Sequence, residues 1–401
     1  MGWPLTSQEL INHSVDLKLL RDEGYEIEIF NAYLLIHNVP YVNNEKTVSF
    51  GILASPLELS GDTTVKPADH VGFWVGTHPC DSNGAPLSNL VNNPNANQPI
   101  KDGMVATHTF SQKPSPNGYD NYHQKMTFYI SRLENYAKAI NPSVTAKTFR
   151  TITLSEEESV FNYLDTSTSR AGIIQINNKL KQNKIAIIGL GGTGSYILDL
   201  VAKTEVGEIH LFDGDAFLQH NAFRSPGAPS IEVLSKQNTK VKHFEDIYSN
   251  MRRNIISHPY LINESNISKL DDMDTVFLCI DSGLARKNIG EYLLEKKVTF
   301  IDVGIGLLVR DESITGSMRV TTCTPSYDLA KERLHFSDTD NDEYSTNIQV
   351  ADMNALNAAM AVIRWKKMCG FYHDIECEHH VVYGIATNAV TNEFTNGETF
   401  D

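Results

Sequence analysis

The stretch KIAIIGLGGTGSYILDL, residues 184–200, places four glycines between an apolar run and a segment with helical spacing. Gly189, Gly191 and Gly194 stand in the G-x-G-x-x-G spacing, and Gly192 is an additional glycine in the same turn. The first glycine lets the chain turn sharply after a strand, the second lets backbone N–H groups approach a phosphate, and the third lets the helix pack on the strand. The stretch therefore predicts a strand, a tight turn and a helix whose N-terminus binds a nucleotide phosphate.

From Lys184 onward, apolar runs alternate with amphipathic segments. This alternation predicts an α/β fold with a Rossmann-like, doubly wound parallel sheet. Strands are predicted at 184–189, 208–213, 274–281 and 298–303, and helices at 193–204, around 240–256, at 283–296 and at 347–368.

The first 150 residues follow a different pattern. Short β-like runs separated by turn-rich stretches occupy residues 27–110, and residues 121–140 have helical spacing with Met126, Tyr129, Ile130, Leu133 and Tyr136 on one face. We predict a smaller α+β domain at 1–150, a helical connector at 151–183 that opens with a capped helix at Ser155, and the doubly wound domain at 184–401.

The formal net charge of −15 disfavours nucleic acid or an anionic membrane as the main partner of these 401 residues. No apolar run approaches the ~20 residues of a membrane-spanning helix, and the N-terminal residues lack a secretory signal pattern. Five scattered cysteines are typical of a reducing compartment, so we expect a cytoplasmic protein. Because most of the acidic excess lies after residue 150, a bound phosphate requires a local cluster of cations.

Asp213 ends the second predicted strand, EIHLFDGD, at a position where an acid accepts hydrogen bonds from ribose hydroxyls. NAD and ATP both carry such a ribose, so this residue does not distinguish a redox cofactor from a nucleotide that is cleaved.

The residues after this strand make the distinction. Asn221 and Arg224 follow in DGDAFLQHNAFRSPG, and Lys240 comes shortly afterwards. Cleavage of a triphosphate requires such cations, because the leaving pyrophosphate and the five-coordinate phosphorus carry additional negative charge. Asp281 ends a third strand at the carboxyl edge of the sheet, where a single carboxylate suits Mg²⁺ shared with phosphate oxygens.

Residues 184–310 resemble the ThiF/MoeB/ubiquitin-activating (E1-like) adenylyltransferase family. The resemblance rests on five elements in order: GLGGTGS, FDGD, HNAFR, a following lysine, and CIDSGLAR. It implies an enzyme that uses ATP and Mg²⁺ to convert a carboxylate into an acyl-adenylate and pyrophosphate. Asp213 would bind the ribose, Asn221 and Arg224 would contact the phosphates, and Asp281 would hold Mg²⁺ at the α-phosphate.

The resemblance also implies a phosphate-binding lysine and an arginine that family dimers insert into the partner's ATP site. Lys240 fits the lysine best because it opens the next predicted helix, and Lys236 is the alternative. Arg170, in STSRAGI, resembles the inserted arginine, and an exposed arginine at a helix end is an equally good interpretation.

In this family the carboxylate usually ends a ubiquitin-like protein. The resemblance therefore implies a ubiquitin-like or sulfur-carrier protein as the partner, in a bacterial conjugation or sulfur-carrier pathway, together with an E2-like protein and a second copy of the chain. A carboxylate is already ionised at neutral pH, so the reaction needs no strong base. Alternatives are a small-molecule or peptide carboxylate, an NAD- or FAD-dependent oxidoreductase, and a nucleotide-binding scaffold without turnover.

Two features of many family members are missing. No pair of Cys-x-x-Cys motifs is present, and Cys369, His373, Cys377, His379 and His380 in CGFYHDIECEHH fit no common zinc spacing. We therefore predict a helix, a loop and a strand there and no structural zinc.

A clear transfer cysteine is also missing. Cys279 is predicted to lie in the core, whereas Cys323 and Cys80 are candidate thioester acceptors, with Cys80 on a turn that is expected to be reachable. The N-terminal domain resembles an uncharacterised domain fused to bacterial ThiF-like proteins, and either substrate recognition or mimicry of a conjugating module fits it. Its scattered histidines are predicted to be structural.

Overall fold

The computed structural model describes residues 7–101, 103–156, 159–182, 184–325 and 348–394. The chain forms two compact units: one contains residues 1–152 and 169–171, and the other contains residues 153–168 and 172–401. Among the described residues, no helix combines the length and the apolar character needed to span a bilayer.

The N-terminal unit is an α+β fold, which confirms the prediction. Its main sheet is antiparallel and has six strands in the order β1-β2-β3-β6-β10-β7, and β4-β5 and β8-β9 form two small hairpins. The elements are α1 Ser7–His13, α2 Val15–Asp22, β1 Ile27–Phe30, β2 Tyr33–Val42, β3 Val48–Pro56, β4 Leu59–Ser60, β5 Thr63–Thr64, β6 Val71–Val75, β7 Val91–Asn93, β8 Gln98–Lys101, β9 Met104–Ala106, β10 His108–Ser111 and α3 Tyr122–Ile140.

Helix α3 covers one face of this sheet. Asn121 caps it by accepting a hydrogen bond from the Gln124 N–H at 2.8 Å. Met126, Tyr129 and other residues of its apolar face join a single core with side chains of the sheet, including Trp74 and Phe110. The predicted helical face is therefore correct except at its end, where the Tyr136 side chain is exposed.

The segment between the two domains differs from its prediction. No helix begins at Ser155, and residues 155, 156 and 159–165 are not helical. The reason is that the Arg253 guanidinium donates hydrogen bonds to the carbonyls of Leu154 at 2.6 Å and Phe161 at 2.6 Å, so the backbone of this segment is satisfied without helical bonds. Short helices follow: α4 Thr166–Arg170, α5 Ile174–Asn177 and a 3₁₀ turn at Asn178–Leu180.

The second unit contains one eight-stranded sheet in the order β13-β12-β11-β14-β15-β16-β17-β18. Its elements are β11 Lys184–Ile188, α6 Gly192–Val201, β12 Glu208–Phe212, α7 Gln219–Ala222, α8 Ile231–Ser235, α9 Lys240–Tyr248, β13 Ile255–His258, a 3₁₀ turn at Ile267–Leu270, β14 Thr275–Leu278, α10 Gly283–Lys296, β15 Phe300–Arg310, β16 Ser313–Cys323, α11 Ala351–Met368, β17 Glu378–Gly384 and β18 Ala389–Phe394.

The first five strands of this sheet are parallel, and the remaining pairs are antiparallel. Strand β11 lies between β12 and β14, and its apolar side chains are buried on both faces by two hydrophobic clusters. This arrangement confirms the doubly wound fold. The chain order reverses between β11 and β14, and open α/β sheets bind ligands at that switch point.

Most predicted elements of the second unit are present, with differences in extent. The strand predicted at 274–281 ends at Leu278. The helix predicted around 240–256 ends at Tyr248, and β13 follows at Ile255. The strand predicted at 298–303 continues to Arg310, because β15 pairs along its whole length with β16. The helix predicted at 347–368 begins at Ala351. The loop predicted after it is present, and the strand predicted after that loop is β17.

Candidate functional site

The glycine turn connects β11 to α6. Gly189 has φ +87°, the left-handed region that only glycine adopts readily, and its N–H donates to the Phe212 carbonyl at 2.8 Å. A β-carbon on Gly189 would lie 2.7 Å from the carbonyl oxygen of Cys279. The first glycine is therefore required both by its backbone conformation and by the close approach of the chain after β14.

The other glycines of the turn have different roles. A β-carbon on Gly194 would overlap the carbonyl oxygen of Gly189, because α6 packs directly on the turn. A β-carbon on Gly191 would meet no atom within 4 Å. The space in front of Gly191 is therefore available to a ligand, and Gly194 serves the packing of the helix.

This difference supports a paired prediction. Gly194→Ala is expected to lower the free energy of unfolding by about 2 kcal/mol or more, because the new methyl group cannot avoid a backbone oxygen. Gly191→Ala is expected to leave stability nearly unchanged and to weaken ATP binding, because its methyl group occupies the space in front of the turn. Chemical denaturation and ATP titration measure the two effects. Equal stability of both variants would contradict the packing role of Gly194.

Asp213 follows β12 directly and is buried. Its carboxylate accepts a hydrogen bond from the Leu190 N–H at 2.7 Å and another from the Asp215 N–H at 2.9 Å. The carboxylate is thus fixed against the glycine turn. Each carboxylate oxygen retains further lone-pair capacity for ribose hydroxyls.

Lys240 is the first residue of α9, as predicted, with Thr239 as the helix cap. Its ammonium lies 3.3 Å from Oδ2 of Asp213 and 2.7 Å from Oδ2 of Asp215. Lys236, the alternative, is exposed at the C-cap of α8. The structure therefore places Lys240, rather than Lys236, against the acid at the end of β12.

Asn221 and Arg224 are held on the short segment around α7. The Asn221 side chain is 3% exposed, and its Oδ1 accepts the Leu218 N–H at 2.8 Å. Its Nδ2 and the Nε of Arg224 are buried, and neither has a hydrogen-bond partner in the part of the chain that the structure describes. Buried donors without partners are costly, so this pair suits an acceptor that the described residues do not supply.

Asn354 is a site residue that sequence analysis missed. It lies on α11, where the Thr193 hydroxyl donates to its Oδ1 at 3.1 Å and its Nδ2 donates to the Arg224 carbonyl at 3.4 Å. A β-carbon on Gly192 would overlap its side chain. Asn354 therefore joins the glycine turn to the Arg224 segment. An asparagine within an otherwise apolar helical pattern was the available signal.

Asp281 lies after the end of β14, exposed, next to Ser282, the N-cap of α10. The loop is anchored by Arg286, whose guanidinium donates to the Ile280 carbonyl and lies 3.0 Å from the fully buried Asp302. Because the backbone of Cys279 contacts Gly189, the loop that carries Asp281 leaves the sheet beside the glycine turn.

Arg170 lies in the N-terminal unit. Its guanidinium donates to the Asp22 carbonyl at 2.7 Å and stacks over the Phe149 ring at 6.0 Å. Insertion of Arg170 into the ATP site of a second copy stays a prediction.

The two candidate thiols are both buried. Cys80 is 1% exposed, and burial, followed by the nearby Asp81, raises the pKa of its thiol. The expectation that Cys80 is reachable is therefore wrong, because its turn folds inward and its N–H donates to the Val42 carbonyl at 2.8 Å. Cys323 ends β16 and is also 1% exposed, within the core. Burial raises the pKa of Cys279 as well.

The residues around the switch point fit the nucleotide and its charge. The carboxylate of Asp213 is bonded to the glycine turn, and Asn354 connects that turn to the segment that carries the two donors without partners among the described residues. Such groups suit phosphate and ribose oxygens. The exposed carboxylate of Asp281 has the chemistry of a Mg²⁺ ligand, and Mg²⁺ usually takes its remaining ligands from phosphate and water. Within the described residues, no three His, Cys, Asp or Glu side chains are grouped closely enough to hold a metal by themselves.

Comparison with known proteins gives relatives for part of the chain. Ubiquitin-like modifier-activating enzyme 5 of Drosophila virilis is 26% identical over 149 residues, covering 34% of this chain and 37% of the relative. The same enzyme of Aedes aegypti is 25% identical over 149 residues with the same coverage. The match thus spans little more than a third of the length of these relatives.

Among solved structures, E. coli MccB with ATP is similar with a TM-score of 0.46 and 18% identity, covering 58% of this chain and 72% of MccB. PaaA is similar with a TM-score of 0.46 and 16% identity, covering 74% of this chain and 94% of PaaA. Residues 15–166 match DUF6791, a domain of unknown function. Residues 168–365, which carry the glycine turn, Asp213, Arg224 and Asp281, belong to the ThiF family.

Proposed function

We propose that this protein uses ATP to adenylate a C-terminal carboxylate, that of a ubiquitin-like protein. The observation that carries the proposal is the pair of buried donors without partners, Nδ2 of Asn221 and Nε of Arg224, on the segment joined through Asn354 to the glycine turn. A redox cofactor that undergoes hydride transfer keeps its phosphates intact and does not require these two donors. Phosphate oxygens that gain negative charge during cleavage require such donors.

The reaction follows from the placement of these groups. The glycine turn and the N-terminus of α6 receive phosphate, and Asp213 orients the ribose. A carboxylate oxygen attacks the α-phosphorus, the bond from that phosphorus to the bridging oxygen breaks, and pyrophosphate leaves with the electron pair. Arg224 and Lys240 stabilise the charge on the phosphates. Asp281 would hold Mg²⁺, which would supply further neutralisation of phosphate charge. Catalysis consists of alignment and charge stabilisation.

The ubiquitin-like substrate is supported by the similarity of the domain to ubiquitin-like modifier-activating enzyme 5. Both candidate acceptor thiols are buried, so the proposed reaction ends at the acyl-adenylate, without a thioester on Cys80 or Cys323. We further propose that the protein acts as a cytoplasmic homodimer.

The test is exchange of radiolabelled pyrophosphate into ATP, with and without a ubiquitin-like protein that ends in Gly-Gly. Exchange that depends on the free carboxylate is the expected result, and the same protein with a C-terminal amide is the control. A change in nicotinamide absorbance without exchange would replace the proposal with an oxidoreductase. ATP binding without exchange for any protein or peptide carboxylate would favour a scaffold.

A further inference from the structure

A second set of buried polar atoms surrounds Gly304 of β15, beyond the point where β14 ends. The register pairs Leu278 of β14 with Asp302, and Gly304 lies two residues further along β15. Gly304 pairs across the hairpin with Arg319 of β16. A β-carbon on Gly304 would lie 3.0 Å from Nε and 3.2 Å from Nη2 of Arg319, so the guanidinium lies directly over this glycine.

Arg319 is held in place by the protein with part of its guanidinium unused. Its Nη1 lies 2.5 Å from Oδ2 of Asp302 and donates to the Thr321 hydroxyl at 3.2 Å. The side chain is 11% exposed, and Nη2 is buried without a hydrogen-bond partner among the described residues. Asp302 also holds Arg286, which anchors the loop of Asp281. Arg319 is therefore tied to the same buried acid as the site loop.

Asn357 of α11 contacts Gly304 as well. It is 0% exposed, and its Nδ2 donates to the Gly304 carbonyl at 3.3 Å. Its Oδ1 is buried and accepts no hydrogen bond from any described residue. Asn357 lies three residues after Asn354, so both asparagines of α11 meet the carboxyl edge of the sheet.

An unused donor and an unused acceptor are thus fixed at one glycine, beside the proposed adenylation site. The last residue of a peptide offers the complementary pair: a carboxyl oxygen that accepts and an amide N–H that donates. Two buried groups without a partner among the described residues carry a desolvation cost that a ligand with this pattern would remove. A nucleotide phosphate offers acceptors alone and leaves Oδ1 of Asn357 unsatisfied.

We propose that Arg319 and Asn357 form the subsite for the terminal residue of the substrate, with Nη2 of Arg319 binding its carboxyl oxygen and Oδ1 of Asn357 accepting its amide N–H. This inference rests on the proposed adenylation. These two residues lie outside the nucleotide site. They would recognise a peptide terminus and would disfavour a carboxylic acid that has no adjacent N–H. A β-carbon on Gly306 would meet no atom within 4 Å, which leaves room beside β15 for an extended chain.

The experiment uses stable adenylate analogues, because their adenosine part reports nucleotide binding separately. The probes are sulfamoyl adenosine, its acetylglycyl derivative, and the acetylsarcosyl derivative, in which a methyl group replaces the amide hydrogen. Affinities are measured by calorimetry with the full chain. The wild-type protein is expected to bind the acetylglycyl probe at least about tenfold more tightly than sulfamoyl adenosine and the acetylsarcosyl probe.

Arg319→Lys keeps a cation for Asp302 and removes Nη2. It is expected to lose most of the gain from the acetylglycyl group while its affinity for sulfamoyl adenosine is unchanged. Asn357→Ala is expected to bind the acetylglycyl and acetylsarcosyl probes equally. Arg310→Lys, at the exposed end of the same hairpin, is the matched control and should behave as wild type.

Four results would overturn the inference. An acetylglycyl gain that is absent in the wild type, or retained in Arg319→Lys, would remove the role of Arg319. Discrimination between the two acyl probes that persists in Asn357→Ala would remove the role of Asn357. Failure of the wild type to bind ATP and sulfamoyl adenosine would instead overturn the proposed function, and this inference with it.

Discussion

Asp281→Ala is expected to lower ATP–pyrophosphate exchange by about 10³-fold or more while the melting temperature stays nearly unchanged. The activity effect follows from loss of the carboxylate that we propose holds Mg²⁺ at the α-phosphate, where charge develops during cleavage. The small effect on stability follows from the exposure of this side chain at a strand end. Exchange at saturating Mg²⁺ and thermal unfolding are the two measurements.

Asp272 supplies the matched control for this prediction. It is also an exposed acid, and it lies before the amino end of β14, whereas Asp281 follows the carboxyl end. Asp272→Ala should exchange pyrophosphate at the wild-type rate. Unimpaired exchange in Asp281→Ala would count against the magnesium role.

Arg224→Ala is expected to lower the exchange rate by about 10²–10³-fold, the usual cost of removing one preorganised group that stabilises a transition state. The variant is also expected to be at least as stable as wild type, because Nε of Arg224 is buried without a partner among the described residues. An increase in stability with a loss of activity is typical of a residue retained for function.

Arg224→Lys is the second variant, because it keeps the positive charge and removes Nε. It should recover only part of the exchange rate, because lysine does not reproduce the fixed geometry of the guanidinium. Equal pyrophosphate exchange rates for Arg224→Ala and the wild-type protein would refute the role of Arg224. A large loss of stability in Arg224→Ala would show that its partner lies within the protein.

The glycine turn and the acids at the strand ends were predictable from the sequence because their signals are local. Gly189 must adopt a left-handed backbone, and Asp213 and Asp281 each follow an apolar run, so strand ends and turns were readable from neighbouring residues. Local sequence predicts the structure less well where another part of the chain supplies the hydrogen bonds. The helix expected at Ser155 is absent because Arg253, far along the chain, satisfies that backbone.

Cysteine accessibility was not predictable for a related reason. Cys80 follows a histidine and a proline in a turn-rich stretch, a pattern typical of exposed loops. Its burial depends on a bridge to Val42 on β2. Such pairing arises only when the sheet of the N-terminal unit has formed.

The sequence by itself determined the doubly wound order of strands and helices, the glycine turn, and the acids and cations that follow it, because hydrophobic period, glycine spacing and strand ends are properties of adjacent residues. Only the tertiary structure decided which distant side chains complete the site. Asn354 meets Thr193 across 161 residues, and Asn357 meets Gly304 across 53. These contacts depend on how α11 packs against the sheet, and that packing cannot be inferred from residue spacing.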